Sequence, residues 1–149
     1  MKNILVALDF EEKTKNLLVN AKQIAEKFGA KIWIIHIVAH KPEFYTAPGS
    51  IQYALQYVNV RDAKSKELHK EHKRVQEYSE QLIKEGIQSE GLLVEGPTVQ
   101  IILDEAIKLK TDLIIIGSHK HSFLYNALTK STSASIIRKS NIPIMVVPI

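Results

Sequence analysis

Short apolar runs alternate along the chain with stretches in which apolar residues recur at helical spacing. The runs at residues 2–8 (KNILVAL) and 31–38 (KIWIIHIV) are nearly continuous, which is typical of strands buried on both faces of a sheet. Between them, apolar residues recur every three or four positions from Thr14 to Phe28, and Gly29 follows as a stop signal. A strand, a helix and a strand in so short a segment predict a right-handed crossover with parallel strands.

The remaining sequence extends this alternation. Residues 40–60 predict a long irregular or partly helical connection, and residues 61–85 predict a long helix. A weaker strand at residues 87–95 leads through Gly96-Pro97 into a third helix that ends at Lys108. Two more strands are predicted at residues 112–116 and 144–147, with a helix over residues 134–139 between them, capped by Ser131 or Thr132. This order predicts an α/β protein with a five-stranded parallel sheet, doubly wound in a three-layer α/β/α sandwich.

Composition narrows the class of protein. A chain of 149 residues with 45% hydrophobic content predicts one domain over residues 1–149. No cysteine is present, which excludes disulfides, thiolate nucleophiles and cysteine zinc sites. The first apolar run is too short to span a membrane and carries no cleavage pattern, so we expect a cytoplasmic protein without membrane association.

The positive charge is concentrated in one part of the chain. The net charge is +4, and residues 117–149 contain four basic residues and no acidic one, which accounts for the whole excess. This distribution predicts a local positive field rather than a nucleic-acid-binding protein. The charged run at residues 64–74 interleaves glutamates with its lysines, which is typical of a solvated helix face.

Candidate binding residues follow the strand ends, because ligands of doubly wound sheets bind beyond the carboxyl ends of the strands. Asp9 follows the first strand, where its carboxylate either accepts hydrogen bonds from a sugar hydroxyl or base amine, or caps the turn into the first helix. Gly117 follows the fourth strand and permits close approach of a ligand to the backbone. Ser131 and Thr132 at a helix N-terminus either favour an anion or serve turn chemistry alone.

Three segments together resemble the universal stress protein family. They are the opening ILVALD, the block GPTVQIILDEAIKLKTDLIIIGSH and the closing SASIIRKSNIPIMVV, which together span nearly the whole chain. The resemblance implies an adenine nucleotide alpha hydrolase-like fold with strand order 3-2-1-4-5. It also implies a nucleotide site, to which the resemblance and the strand-end argument together assign Asp9, Val38, Gly117, Lys120, Lys130, Ser131 and Thr132.

The phosphate loop of this site departs from the family pattern. Nucleotide-binding members carry Gly, two residues, Gly, nine residues, and then Gly followed by Ser or Thr. Gly117 and Ser131 match the first and last positions, but Lys120 and Lys130 occupy the second and third glycine positions. A lysine Cβ either strains the loop and blocks the ligand, or the two ammonium groups become phosphate ligands.

The resemblance also implies a homodimer that pairs through the last strand, where residues 142–149 are apolar and uncharged. We expect a stress-linked regulatory or binding module that binds ATP or another phosphorylated ligand, with Mg²⁺ only alongside the nucleotide, and that is recognised by an unknown protein partner. We expect no enzyme, no catalytic residue and no metal site of its own. The alternatives are an interaction dimer without nucleotide binding and a slow ATP hydrolase. His119 and His121 lie in the same loop, and the sequence alone leaves their role open.

Overall fold

A computed structural model describes residues 1–10, 14–38, 51–118 and 132–149, with side chains in the third range described from residue 64 onward. Five strands alternate with four helices in these ranges. They are β1 (Asn3–Leu8), α1 (Thr14–Phe28), β2 (Lys31–Val38), α2 (Ile51–Lys84), β3 (Ser89–Glu95), α3 (Thr98–Lys108), β4 (Leu113–Ser118), α4 (Thr132–Lys139) and β5 (Ile144–Pro148).

The sheet has the predicted topology. Its strand order is β3-β2-β1-β4-β5, and every neighbouring pair is parallel. β1 lies at the centre, where Leu5 is in register with Trp33 of β2 on one side and with Ile114 of β4 on the other. The predicted fold class is therefore confirmed.

Two apolar layers cover the sheet, because successive side chains of a strand point to opposite faces. Ile4 and Val6 of β1 pack with Leu17 of α1 and Val75 of α2 on one face. On the other face, Leu5 packs with a cluster that includes Ile102 and Ala106 of α3 and Ile136 of α4. Strands apolar on both faces are thus explained by helices on both faces.

Several boundaries differ from the sequence prediction, most of them by one or two residues. Helix α2 begins at Ile51, ten positions before the predicted residue 61. Apolar residues at positions 51, 54, 55 and 58 continue the helical spacing, and the prolines of this region all precede them. Strands β4 and β5 run on through Ser118 and Pro148, because these two residues remain paired in the ladder.

No helix within the described ranges combines the length and the apolar content needed to cross a bilayer.

Asp112 fastens the start of β1 to the start of β4. Its Oδ2 atom accepts hydrogen bonds from the backbone amides of Lys2 and Asn3, the latter at 3.0 Å, and its own amide donates to the Asn3 carbonyl at 2.8 Å. The amides of Lys2 and Asn3 favour the ionised carboxylate, so they hold the pKa of Asp112 below its usual value. The ionised carboxylate of Asp112 therefore stabilises the pairing of β1 with β4.

Replacing Asp112 with Asn should lower the free energy of unfolding at neutral pH. Because the folded-state pKa is depressed, the carboxylate stabilises the protein above its unfolded pKa, near 4, and this stabilisation disappears as pH falls through the folded value. Urea unfolding of the wild type and Asp112→Asn from pH 7 down to pH 3 should give curves that converge in acid. Glu80→Gln, which removes an exposed carboxylate from α2, is the control. A gap that stays constant with pH would contradict this account.

Candidate functional site

A cleft of about 280 Å³ opens at the carboxyl ends of the central strands. It lies where the winding of the sheet reverses, between β1 and β4, which is the usual ligand position in doubly wound sheets. The described residues that line it come from β1, β2 and β4 and the residue after β1, and from the first turns of α3 and α4. They are Ala7, Leu8, Asp9, Ile35, His36, Ile37, Thr98, Ile102, Ile116, Gly117, Thr132, Ser133 and Ile136.

Asp9 brings a carboxylate to this cleft. It is exposed and comes directly after Leu8, the last residue of β1. The next residue, Phe10, has a φ of 61°, a left-handed conformation that costs a bulky L-residue roughly 1–2 kcal/mol. The chain therefore turns sharply directly beyond the candidate binding residue.

Two helices begin at the cleft, and their N-termini supply backbone N–H donors. α3 starts at Thr98, and no side chain caps its N-terminus at Pro97. α4 starts at Thr132, and both Thr132 and Ser133 line the cleft. The first N–H groups of a helix lack intrahelical acceptors and lie at the positive end of its dipole. The arrangement therefore favours an anion at this end of the sheet.

Gly117 lies inside β4, not after it, and this corrects the predicted position of the residue. It is in register with Val147, and its carbonyl accepts a hydrogen bond from Ser133 Oγ at 3.0 Å. A Cβ atom at position 117 would lie 2.6 Å from Cδ1 of Ile149, a buried residue. A side chain at this position would have to displace the end of the Ile149 side chain, which fills the space beside Gly117.

The structure brings together three of the seven predicted site residues, namely Asp9, Gly117 and Thr132. Val38 lies at the end of β2, where its carbonyl accepts a hydrogen bond from the Gly96 amide at 3.0 Å. Its neighbour Ile37, rather than Val38, lines the cleft. Lys120, Lys130 and Ser131 lie outside the described residues, as do His119 and His121.

Three polar cleft residues were not predicted as site residues. Thr98 directly follows the Gly96-Pro97 helix start, and Ser133 completes the Ser-Thr-Ser run, so both had a signal in the sequence. His36, inside β2, is buried with Nδ1 2.8 Å from the Leu8 carbonyl. It also lines the cleft, which a position inside a strand does not reveal.

Part of the basic excess lies away from the cleft. Arg138 and Lys139 are in the last turn of α4, whose first turn meets the cleft. An eight-residue helix is about 12 Å long, so these two charges sit at its opposite end. They interact favourably with the negative end of the helix dipole and do not account for an anion site.

A larger groove of about 560 Å³ runs between α1 and α2, away from the strand ends. Its charged side chains pair with each other, since Lys22 Nζ lies 2.9 Å from Glu85 Oε2 across the groove. The hydrogen bond from Lys22 lowers the pKa of Glu85, and this pairing ties the two helices together. The smaller cleft is the better candidate site because it lies where the winding of the sheet reverses, between β1 and β4, and because two helices begin beside it.

Comparison with known proteins identifies relatives over the whole chain. The model of the universal stress protein family matches residues 1–148. Universal stress protein A homolog 2 of Coxiella burnetii strain RSA 493 / Nine Mile phase I is 32% identical, with 99% of this chain and 95% of the relative covered.

Solved structures show the same fold. The structure of hypothetical protein MJ0577 has a TM-score of 0.75 at 23% identity, covering 99% of this chain and 96% of that one. A universal stress protein in complex with cAMP has a TM-score of 0.65 at 21% identity, covering 99% and 96%. The universal stress protein from Archaeoglobus fulgidus in complex with dAMP has a TM-score of 0.62 at 19% identity, covering 98% and 97%.

The contact between Gly117 and Ile149 predicts a specific pattern of stabilities. Gly117→Ala should lower the free energy of unfolding by about 1–3 kcal/mol, because the new methyl group overpacks against Ile149 Cδ1. Ile149→Val removes that Cδ1 atom and should itself cost about 0.5–1.5 kcal/mol. In the double variant, Gly117→Ala should cost less than it does alone. Denaturant unfolding of the four proteins measures the coupling, and strictly additive effects would show that Ile149 does not set the requirement for glycine.

Proposed function

The chain belongs to the universal stress protein family over residues 1–148, and from this premise we propose that it is a cytoplasmic regulatory module of the stress response. In this proposal the cleft binds an adenine nucleotide, and a protein partner recognises the change in loop or dimer state that binding produces. The observation that carries the proposal is the convergence of Asp9 with the N-termini of α3 and α4 on one cleft.

The chemistry of the cleft fits the two halves of a nucleotide. Ile37, Ile102 and Ile116 give it apolar walls, against which a nucleoside can pack. Asp9 offers an acceptor for a base amine or ribose hydroxyl, and the first turn of α4 offers backbone amides and the Thr132 hydroxyl for phosphate, since the Ser133 hydroxyl donates to the Gly117 carbonyl. The volume contributed by the described residues is near the lower end of the roughly 300–1,000 Å³ typical of ligand pockets.

Relatives with bound nucleotides support the same assignment. The two related structures with cAMP and dAMP carry adenine nucleotides on this fold. Their ligands are monophosphates, so ATP with Mg²⁺ is the more specific part of our proposal. It rests on Lys120 and Lys130, whose two ammonium groups are suited to the longer phosphate chain.

We propose a binding function rather than catalysis. Among the described residues around the cleft, Asp9 is the one carboxylate. No group of three His, Asp or Glu side chains suited to hold a metal ion occurs in the described parts of the chain. Water activation at a phosphate needs a placed base or a metal. The titratable side chains among the described lining residues are Asp9 and His36, and the buried His36 ring is engaged through Nδ1 with the Leu8 carbonyl.

The outer edge of β5 supports a homodimer as part of the proposal. The Ile149 amide donates a hydrogen bond to the Ser118 carbonyl, and the Pro143 carbonyl accepts one from the Ile114 amide. The backbone N–H and C=O groups of odd-numbered residues in this segment therefore point toward β4. The N–H and C=O groups of Ile144 and Val146 therefore point to the outer edge, where no described strand pairs with them. Pro148, which lacks an N–H, also falls on this edge, as proline in strands usually does.

Calorimetric titration with ATP and Mg²⁺ tests the nucleotide proposal. We expect the wild type to bind, and Lys120→Gly/Lys130→Gly to weaken binding by at least about tenfold, or about 1.4 kcal/mol. Lys84→Gln/Lys139→Gln removes two exposed charges from the last turns of α2 and α4 and should leave affinity unchanged. No binding by the wild type, with binding restored by the glycine pair, would show that the lysines close the site.

Sedimentation velocity tests the dimer. The wild type should sediment at twice the 16.9 kDa of one chain, and Val146→Pro should sediment as a monomer, because proline removes one outward N–H without disturbing the ladder to β4. Val146→Thr keeps the N–H and the branched shape and should remain dimeric. Circular dichroism of both variants checks that they fold. A dimer that survives in folded Val146→Pro would place the interface elsewhere.

A further inference from the structure

Phe10 is held in a conformation that its side chain does not favour. Its φ of 61° places it in the left-handed region, which glycine or asparagine adopts far more readily than an aromatic residue. It directly follows Asp9, the carboxylate of the cleft. Strained backbone of this kind persists where surrounding contacts enforce it, and it concentrates at functional sites.

The contacts that enforce it come from α2. The guanidinium carbon of Arg74 lies 4.3 Å from the centroid of the Phe10 ring, and Arg74 Nη2 donates to the Phe10 carbonyl at 3.4 Å. Tyr78, one turn further along α2, stacks on the same ring at 6.4 Å between centroids. Arg74 therefore contacts both the ring and the backbone carbonyl of Phe10.

The Phe10 ring also contacts the ring of His36, with 4.0 Å between the two centroids. His36 Nδ1 lies 2.8 Å from the Leu8 carbonyl, and because a carbonyl only accepts, Nδ1 is the donor. His36 Nε2 lies 3.8 Å from Glu71 Oε1 of α2, beyond hydrogen-bond distance, so the bond to the Leu8 carbonyl is the contact that orients the ring. The turn of Leu8, Asp9 and Phe10 is thus fastened on both sides of Asp9, to β2 through His36 and to α2 through Arg74.

We propose that Arg74 and His36 are positioning residues that clamp Phe10 in its left-handed turn and so aim Asp9 at the base of the bound nucleotide. This inference rests on the proposed function and deepens it. A carboxylate accepts a hydrogen bond from the exocyclic amine of adenine, whereas hypoxanthine presents a carbonyl oxygen at the same place. The clamp therefore sets a preference for a 6-amino purine over a 6-oxo purine.

The preference is measured as the ratio of the dissociation constants for IMP and AMP. We expect a ratio of at least about tenfold in the wild type and near one in Asp9→Asn, since the amide offers a donor as well as an acceptor. Arg74→Met keeps the apolar stem but removes the cation and the donor, and should lower the ratio at least about threefold. Arg74→Lys keeps a cation over the ring and should recover part of it.

Lys73→Met is the matched control, because it removes a neighbouring exposed charge of α2 that does not contact Phe10. The clamp would be overturned if the ratio of dissociation constants in Arg74→Met equalled that of the wild type. It would also be overturned if Lys73→Met lowered this ratio as much as Arg74→Met does. Binding of AMP and IMP with equal affinity by the wild type would overturn the base preference.

A second readout separates the clamp from the nucleotide. Backbone ¹⁵N relaxation of the free protein should give lower order parameters for Asp9 and Phe10 in Arg74→Met than in the wild type and Lys73→Met. If the wild type binds none of AMP, IMP and ATP with Mg²⁺, the proposed function and the base preference both fail, and these order parameters then decide on the clamp alone. Unchanged values in Arg74→Met would overturn it.

Discussion

The pairing of β1 with both β2 and β4 is the constraint on which the rest of the structure depends. Because β1 is central and the strands are wound outward from it in two directions, α1 and α2 cover one face of the sheet while α3 and α4 cover the other. The helices that follow β1 and β4, namely α1 and α4, therefore lie on opposite faces, and the cleft opens at the carboxyl ends of these two strands. Asp112 fastens the opposite end of the same strand pair. The position of Asp9 and of two helix N-termini follows from this one topological feature.

Much of this architecture was predictable because the strands are buried on both faces. Continuous apolar runs such as residues 31–38 have few alternatives in a chain of this length, and β2 was predicted at its observed bounds. The prediction failed where the deciding contact is distant in sequence. Gly117 was predicted to end β4, yet the strand continues because β5 still pairs with it and Ile149 fills the space beside it. For residues 40–60 the sequence left an irregular and a partly helical connection open, because the apolar spacing at residues 51–58 is interleaved with tyrosines and polar residues. The structure has the helical alternative from Ile51 onward.

The candidate site was predictable to the extent that it follows from the strand ends. Asp9, Gly117 and Thr132 each adjoin a predicted strand or helix end, and all three line the cleft. The features that could not be predicted from the sequence are those formed by contacts between two elements. Phe10 carries no sequence signal for a left-handed turn, because its conformation depends on Arg74 of α2 and His36 of β2. His36 likewise is buried in the core and also lines the cleft, and the alternation of residues along a strand does not predict both positions.

The role of Gly117 changes what the two lysines mean. In a phosphate loop, a glycine is usually explained by close approach of the backbone to the ligand. Here the first glycine of the pattern has the backbone of a strand, and its missing side chain makes room for Ile149. Glycine content alone therefore does not measure whether this loop can bind phosphate. What phosphate requires is N–H donors and positive potential, and the first turn of α4 supplies both from the backbone. An ammonium group adds to that potential, so replacement of glycine by lysine at positions 120 and 130 is compatible with a site whose anion binding resides in the helix terminus.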